Sequence, residues 1–196
     1  MCLFIESIKC KDGKLFNLEY HQVRVNRTIA EFYPNKSIDL SLINIPQYFG
    51  EGIYKLRIIY SDSIEKYEFL PYKIKQINSL KIVQSDDLIY DYKYFDRTAL
   101  SLLQTKRNKC DEIIICQNGL VTDSSYSNLA FEKNGKLYTP QSPLLKGTKR
   151  EKLINDGKLI PKDIEISSIS QYQKIHLINS MIDLDECCVD VENVEY

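Results

Sequence analysis

No segment of this chain approaches the roughly 20 consecutive apolar residues that a membrane-spanning helix requires. The short apolar opening, interrupted by Glu6, is not a secretory signal, so the cytoplasm is the expected location. The six cysteines, Cys2, Cys10, Cys110, Cys116, Cys187 and Cys188, form no Cys-x-x-Cys pair and no Cys/His spacing suited to zinc. They read as reduced thiols packed mostly as small apolar side chains, and no metal site is expected. Adjacent side chains in an extended run point to opposite faces, so Cys187 and Cys188 are expected to pack independently. Charge of one sign is also missing. With 26 Lys+Arg against 27 Asp+Glu the formal charge is −1, which offers no broad cationic field for nucleic acid or an anionic membrane. Any anion site must be local. No internal repeat or low-complexity tract occurs. What remains is a chain of 196 residues, 43% hydrophobic and 27% charged, able to bury a core as one large domain or two small ones.

The local patterns alternate between strand and helix. Leu3 to Ile8 reads as a strand, and Lys11-Asp-Gly-Lys14 as a hairpin turn. From Leu18 to Phe32, apolar Leu18, Val25, Ile29 and Phe32 recur at helical spacing until Pro34 stops the pattern. His21 and Arg24 share a face of that helix. Tyr54–Tyr60 and Lys66–Leu70 read as a hairpin closed by Pro71, in a small antiparallel sheet with the first strand. The polar stretch from Lys73 to Asp87 is the candidate linker, with the boundary near residue 80. Beyond it, Asp96 can cap a helix running to about Leu103, and Glu112–Cys116 is a compact apolar strand. Asn-Gly turns at 118–119 and 134–135 predict an antiparallel meander. A helix over Lys149–Asn155, the Gly157 stop, Pro161 and a strand over Lys174–Ile178 complete a second module.

Chemistry concentrates between Asp91 and Arg150. Lys93 stands in Lys-Tyr-Phe-Asp-Arg97; then come Gly119-Leu-Val-Thr-Asp123 with Ser127-Asn128, and Leu145-Lys-Gly-Thr-Lys-Arg150. A lone lysine is ordinarily a solvated charge, and Asp123 beside two serines has a plain reading as a turn residue. The order of the motifs is what carries weight. It resembles the class IV aminotransferases, the fold-type IV pyridoxal-phosphate enzymes, and most closely their aminodeoxychorismate lyase-like members.

The resemblance implies an α+β fold of two small modules, residues 1–80 and 81–196, with mainly antiparallel sheets and flanking helices. It implies that Lys93 carries pyridoxal 5'-phosphate and acts as the base. Asp123 takes the place of the family's glutamate facing the ring nitrogen, one methylene shorter, and Asn128 lies on the cofactor-side strand. Arg24, three residues after His21, corresponds to the family's phosphate arginine. His21 itself is expected to be a packed or capping side chain. Gly147-Thr148 resembles a Gly-Ile-Thr-Arg turn opening a helix. Alignment on Arg150 puts Thr148 where the family has Ile and Lys149 where it has Thr, so either can meet the phosphate. Asn179 and Ser180 resemble the lyase branch's Asn-Ser segment near the phosphate.

The implied reaction is conversion of 4-amino-4-deoxychorismate to 4-aminobenzoate and pyruvate, toward folate. The alternative is transamination of a branched-chain, aromatic or D-amino acid, and a third reading is a cofactor-binding homologue without turnover. A small-molecule amine substrate and a homodimer are the implied partners. The region between Arg24 and Lys93 is shorter than usual in the family.

Overall fold

The computed structural model describes residues 2–46 and 51–196. The chain divides into two compact units, Met1–Lys73 with Tyr92–Asp96, and Ile74–Asp91 with Arg97–Tyr196. The expected modules of 1–80 and 81–196 differ from this in two ways. The break falls after Lys73, and the segment that carries Lys93 returns to the first unit.

In the first unit, Phe4–Lys11 (β1) and Lys14–Leu15 (β2) flank a turn in which Asp12 (φ 50°) and Gly13 (φ 72°) both take the left-handed conformation of a tight hairpin. The helix Leu18–Phe32 (α1) has the bounds its apolar spacing predicts, and Ile53–Tyr60 (β3) and Ile64–Pro71 (β4) form the expected hairpin. The sheet order is β2-β1-β3-β4, antiparallel throughout. Alternation along β1 puts Phe4, Glu6, Ile8 and Cys10 on one face, all buried. Phe4 and Ile8 join Val25 and Ile29 of α1 in the core. Tyr92–Asp96 belongs here because Tyr92 and Tyr94, both half-buried, pack against that core. Tyr92 packs edge-on against Phe32 with ring centroids 4.9 Å apart, and Tyr94 lies 5.4 Å from Phe4. Backbone bonds from Ile5 N–H to Lys93 O (3.0 Å) and from Phe95 N–H to Leu3 O (2.9 Å) fasten the segment beside β1.

The second unit holds Leu80–Gln84 (β5), Thr98–Thr105 (α2), Glu112–Gln117 (β6), Leu120–Val121 (β7), Asn128–Lys133 (β8), Lys136–Pro140 (β9), Thr148–Asn155 (α3), Ile160–Lys162 (β10), Lys174–Ile178 (β11), Cys188–Asp190 (β12) and Val194–Glu195 (β13). They build a five-stranded sheet, β10-β9-β8-β11-β12, and a four-stranded one, β13-β5-β6-β7. The fold is α+β with mostly antiparallel pairing. The exceptions are β5 alongside β6 and β13, and β10 alongside β9.

Three local expectations need correction. The supposed linker contains β5, whose Leu80 and Val83 are buried, because a parallel neighbour rather than a hairpin pairs it. The α2 helix starts at Thr98 with Arg97, not Asp96, at its N-cap position. The two Asn-Gly turns do form, with positive φ at Asn118, Gly119, Asn134 and Gly135, but they close hairpins in different sheets, not one meander. Between them residues 122–127 carry the chain from one sheet to the other. Cys187 is buried and Cys188 exposed, the independent packing expected of neighbours in an extended run. Among the described residues no helix is long and apolar enough to cross a membrane.

Candidate active site

Within the first unit, the strand–helix pair β1/α1 brings Glu6, His21 and Arg24 together. Glu6 is wholly buried on the inward face of β1, a position an acid occupies only when paired. Arg24 donates from Nε to Oε1 (2.8 Å) and from Nη2 to Oε2 (2.6 Å), the two-pronged geometry that suits guanidinium and carboxylate. His21 Nδ1 donates to Oε2 at 2.6 Å. Burial alone pushes the Glu6 carboxyl up, but the charge of the adjacent Arg24 guanidinium and the hydrogen bonds from Arg24 and His21 outweigh it and hold its pKa at about 2. Burial pushes the His21 imidazole down toward its neutral form, against the pull of Glu6 and with help from the charges of Arg24 and Lys93. His21 is thus a packed hydrogen-bonding side chain. Lys93 is half-buried between Tyr92 and Tyr94. Those two rings pack against the core, and Tyr94 N–H donates to Tyr92 O at 2.9 Å, a tight turn centred on Lys93.

Within the second unit, the crossing segment gathers the other expected residues. Asp123 and Asn128 face each other across an isolated antiparallel bridge and close the turn between them. Asp123 Oδ1 accepts from Asn128 Nδ2 (2.7 Å) and Oδ2 from Leu145 N–H (2.9 Å). Burial pushes its carboxyl up to about 7; the Leu145 and Asn128 donors and the charge of Arg150 pull the other way without prevailing. The amide of Asn128 also donates to Leu145 O (2.8 Å), and its Oδ1 lies so close to Gly147 that a Cβ there would overlap it. Gly147 is therefore fixed by close approach, since its φ of −71° is open to any residue.

The α3 helix starts at Thr148, and its first ladder bond runs from Glu151 N–H to Gly147 O (3.0 Å). The amides of Thr148, Lys149 and Arg150 lie outside that ladder, at the positive end of the helix. Thr148, Lys149 and Arg150 are all buried. Lys149 forms an ion pair with Asp183, and Arg150 Nη2 donates to Pro140 O at 2.8 Å. In the turn after β11, Asn179 Oδ1 accepts from Met181 N–H (2.8 Å), and its Nδ2 donates to Ser127 Oγ (2.9 Å). Ser180 is half-buried beside it.

Sequence reasoning missed two supports. Glu6 gave one signal, an acid at an inward register of an apolar strand. The other is the brace of the 124–127 turn: Arg97 Nη2 donates to Ser125 O (2.8 Å), and buried Glu112 accepts from Gln104 Nε2 (2.8 Å) and, at 3.4 Å, from Ser125 N–H. The lysine motif thus contributes, in Arg97, a residue that holds the turn following Asp123.

The profile of the amino-transferase class IV family matches residues 63–185. A Haemophilus influenzae protein of uncharacterized function is 36% identical over 180 residues, covering 90% of this chain and 96% of that protein. A crystal structure from Haemophilus somnus, provisionally assigned as a 4-amino-4-deoxychorismate lyase, superposes with a TM-score of 0.81 at 33% identity over 94% of this chain and 98% of its own. Both relatives align with this chain over nearly their whole length. A hypothetical aminotransferase from Mycobacterium tuberculosis, solved with bound PLP, shares the fold at 16% identity and a TM-score of 0.73, over 98% of this chain and 81% of that one. Motif order, a profile that spans more than half the chain and relatives aligned almost end to end agree that the chain belongs to the amino-transferase class IV family and is an enzyme.

Proposed function

We propose that the protein is a pyridoxal 5'-phosphate-dependent lyase that converts 4-amino-4-deoxychorismate to 4-aminobenzoate and pyruvate, a step toward folate. The observation that carries the cofactor assignment is Asp123. A buried carboxyl raised to about 7 gains most from a cation brought against it, and a protonated ring nitrogen is such a cation. The remaining donors suit a phosphate. The first turn of α3 offers amides, the Thr148 hydroxyl and the Lys149 ammonium; the turn after β11 offers Asn179 and Ser180. Arg24 adds a guanidinium whose orientation Glu6 fixes. The lyase reaction, rather than transamination, is supported by the 33% identity to the Haemophilus somnus protein. The Lys93-Tyr-Phe-Asp-Arg97 and Asn179-Ser180 segments favour the same branch.

When bound, the cofactor supplies an electron sink for the carbon next to the substrate amine. Lys93 would hold it through Nζ. Lys93 Nζ would also be the base that takes the ring C4 proton, the loss that allows the enolpyruvyl group to leave. Asp123 would keep the ring nitrogen protonated, with Asn128 fixing the carboxylate through its 2.7 Å hydrogen bond.

The test is the absorption spectrum with pyridoxal 5'-phosphate before and after borohydride, followed by mass mapping of the reduced adduct. Attachment at Lys93 and formation of 4-aminobenzoate are expected, and Lys93→Ala abolishes both. An adduct scattered over surface lysines sinks the cofactor assignment. A 2-oxo acid from amino-acid donors, without 4-aminobenzoate, moves the chain to the transaminases, and loading without turnover marks a non-catalytic homologue. The proposal includes a homodimer; a monomeric, fully active protein in sedimentation overturns that part.

A further inference from the structure

The polar contacts of the second unit form a closed circuit. Asn128 holds Asp123 and Leu145; Gly147 presses on Asn128 and opens α3; Lys149, in the first turn of α3, pairs with Asp183; and the turn carrying Asp183 returns through Asn179 to Ser127, next to Asn128. Lys149–Asp183 is the link that ties the N-terminal end of α3 to the turn after β11.

Lys149 is out of place by two ordinary rules. A cation in the first helical turn sits at the positive end of the helix dipole, and a lysine near a surface extends its ammonium into water. Here the side chain is only 10% exposed, and its partner Asp183 is 44% exposed. Asp183 has a fixed base. Asn179 and Ile182 exchange backbone N–H···O bonds of 3.2 Å, and Asp183 N–H donates to Glu186 Oε2 at 2.7 Å.

The geometry points to Asp183 as a positioning residue that holds the Lys149 ammonium between the first turn of α3 and the turn after β11, so that its charge stays beside the α3 amides and the Asn179-Ser180 turn. This rests on the cofactor reading above and specifies which residue makes its phosphate site cationic. Asp183 also carries the same sign of charge as a phosphate, so it could oppose binding instead. Exposure decides between the two effects. Water screens the half-exposed carboxylate, whereas the buried ammonium acts through a lower dielectric.

Affinities for pyridoxal 5'-phosphate and for pyridoxal, which lacks the phosphate, separate positioning from general support. In Asp183→Ala the phosphate-bearing ligand is expected to bind about tenfold more weakly, the loss of one charge-assisted contact, while pyridoxal stays within about twofold. Asp183→Asn, which keeps an acceptor for Lys149, falls between wild type and Asp183→Ala. Lys149→Met shows the same selective loss, and adding Asp183→Ala to it costs nothing further. Equal weakening of both ligands would overturn the inference, as would tighter phosphate binding in Asp183→Ala. If the wild-type protein forms no borohydride adduct at Lys93, the cofactor reading falls and this inference with it. A wild-type adduct at Lys93 with an unchanged affinity ratio in Asp183→Ala overturns this inference alone.

Discussion

Glu6 and Asp123 are both buried carboxyls that accept hydrogen bonds on both oxygens, yet their acidities lie on opposite sides of the ordinary range. Glu6 is held at about 2 and Asp123 is raised to about 7. Burial raises both, so burial does not distinguish them. The partners do. Glu6 has the Arg24 guanidinium directly on both oxygens, whereas Asp123 has an amide side chain and a backbone N–H, neither carrying charge. A fixed cation makes Glu6 a permanent anion and a structural anchor. Neutral donors leave Asp123 poised near neutrality, where the arrival of a cation changes its state. The first unit thus spends its buried acid on orienting an arginine, and the second keeps its buried acid responsive.

The comparison breaks most severely at Glu6. Glu6→Ala leaves the Arg24 guanidinium and the His21 ring without their shared acceptor, and the expected loss is about 3–5 kcal/mol in urea unfolding. The pH dependence has a definite sign. The folded pKa of Glu6 lies below its ordinary value of 4.5, so its contribution is present above pH 4.5 and is lost as the pH falls toward 2. Acid unfolding of the wild type should therefore be steep in that window, and Glu6→Gln should flatten it.

Asp123 runs in the other direction. Its folded pKa of about 7 exceeds the ordinary 3.8, so in the cofactor-free protein its contribution is greatest below pH 4 and disappears as the pH rises toward 7. A shift of that size corresponds to up to about 4 kcal/mol. Thermal melts of the cofactor-free protein across pH 4–8 should show this decline, and Asp123→Asn should remove it. An unchanged slope in Asp123→Asn would mean that the carboxyl is ionised throughout and that the contrast with Glu6 does not exist.

Legibility in the sequence follows the range of the interactions involved. The α1 helix was readable to the residue because its spacing and Pro34 are local, and both Asn-Gly turns were readable because their backbone conformation is set by the dipeptide. The sheet to which each hairpin belongs was not, since that depends on the course of residues 122–127. β5 was hidden because its partners, β6 and β13, are distant in the chain and parallel to it. The return of Lys93 to the first unit depends on Tyr92 and Tyr94 finding Phe4 and Phe32, which no local pattern encodes. For the candidate site, motif order supplied the candidate residues, while the side chains that support them were not legible. Glu6, Glu112 and Asp183 are acids that ordinarily face water, and only the fold shows what each one holds.

Gly147 sharpens the comparison sterically. Asn128 can serve Asp123 and Leu145 together only because no Cβ stands at residue 147. Gly147→Ala must displace the amide, and overpacking of this kind costs about 1–3 kcal/mol. Thermal unfolding measures that cost. A shift of the Asp123 titration, followed through the carboxylic-acid infrared band, would register the lost Asn128 donor; the expected direction is upward, since a donor to the ionised form has gone.

The smallest effect lies on the surface of α3, where Lys152 and Asp156 pair at 3.1 Å one turn apart, with side chains about one-third exposed. The chemistry resembles that of Arg24 and Glu6, an ammonium in place of a guanidinium against a carboxylate, but water competes for both groups and salt screens them. Lys152→Ala and Asp156→Ala should each change stability by less than about 0.5 kcal/mol, and a double-mutant cycle should give a coupling of about 0.3 kcal/mol that vanishes in 1 M salt. Coupling of several kcal/mol there would mean that contact alone, without burial, accounts for the strength of the Glu6 pair.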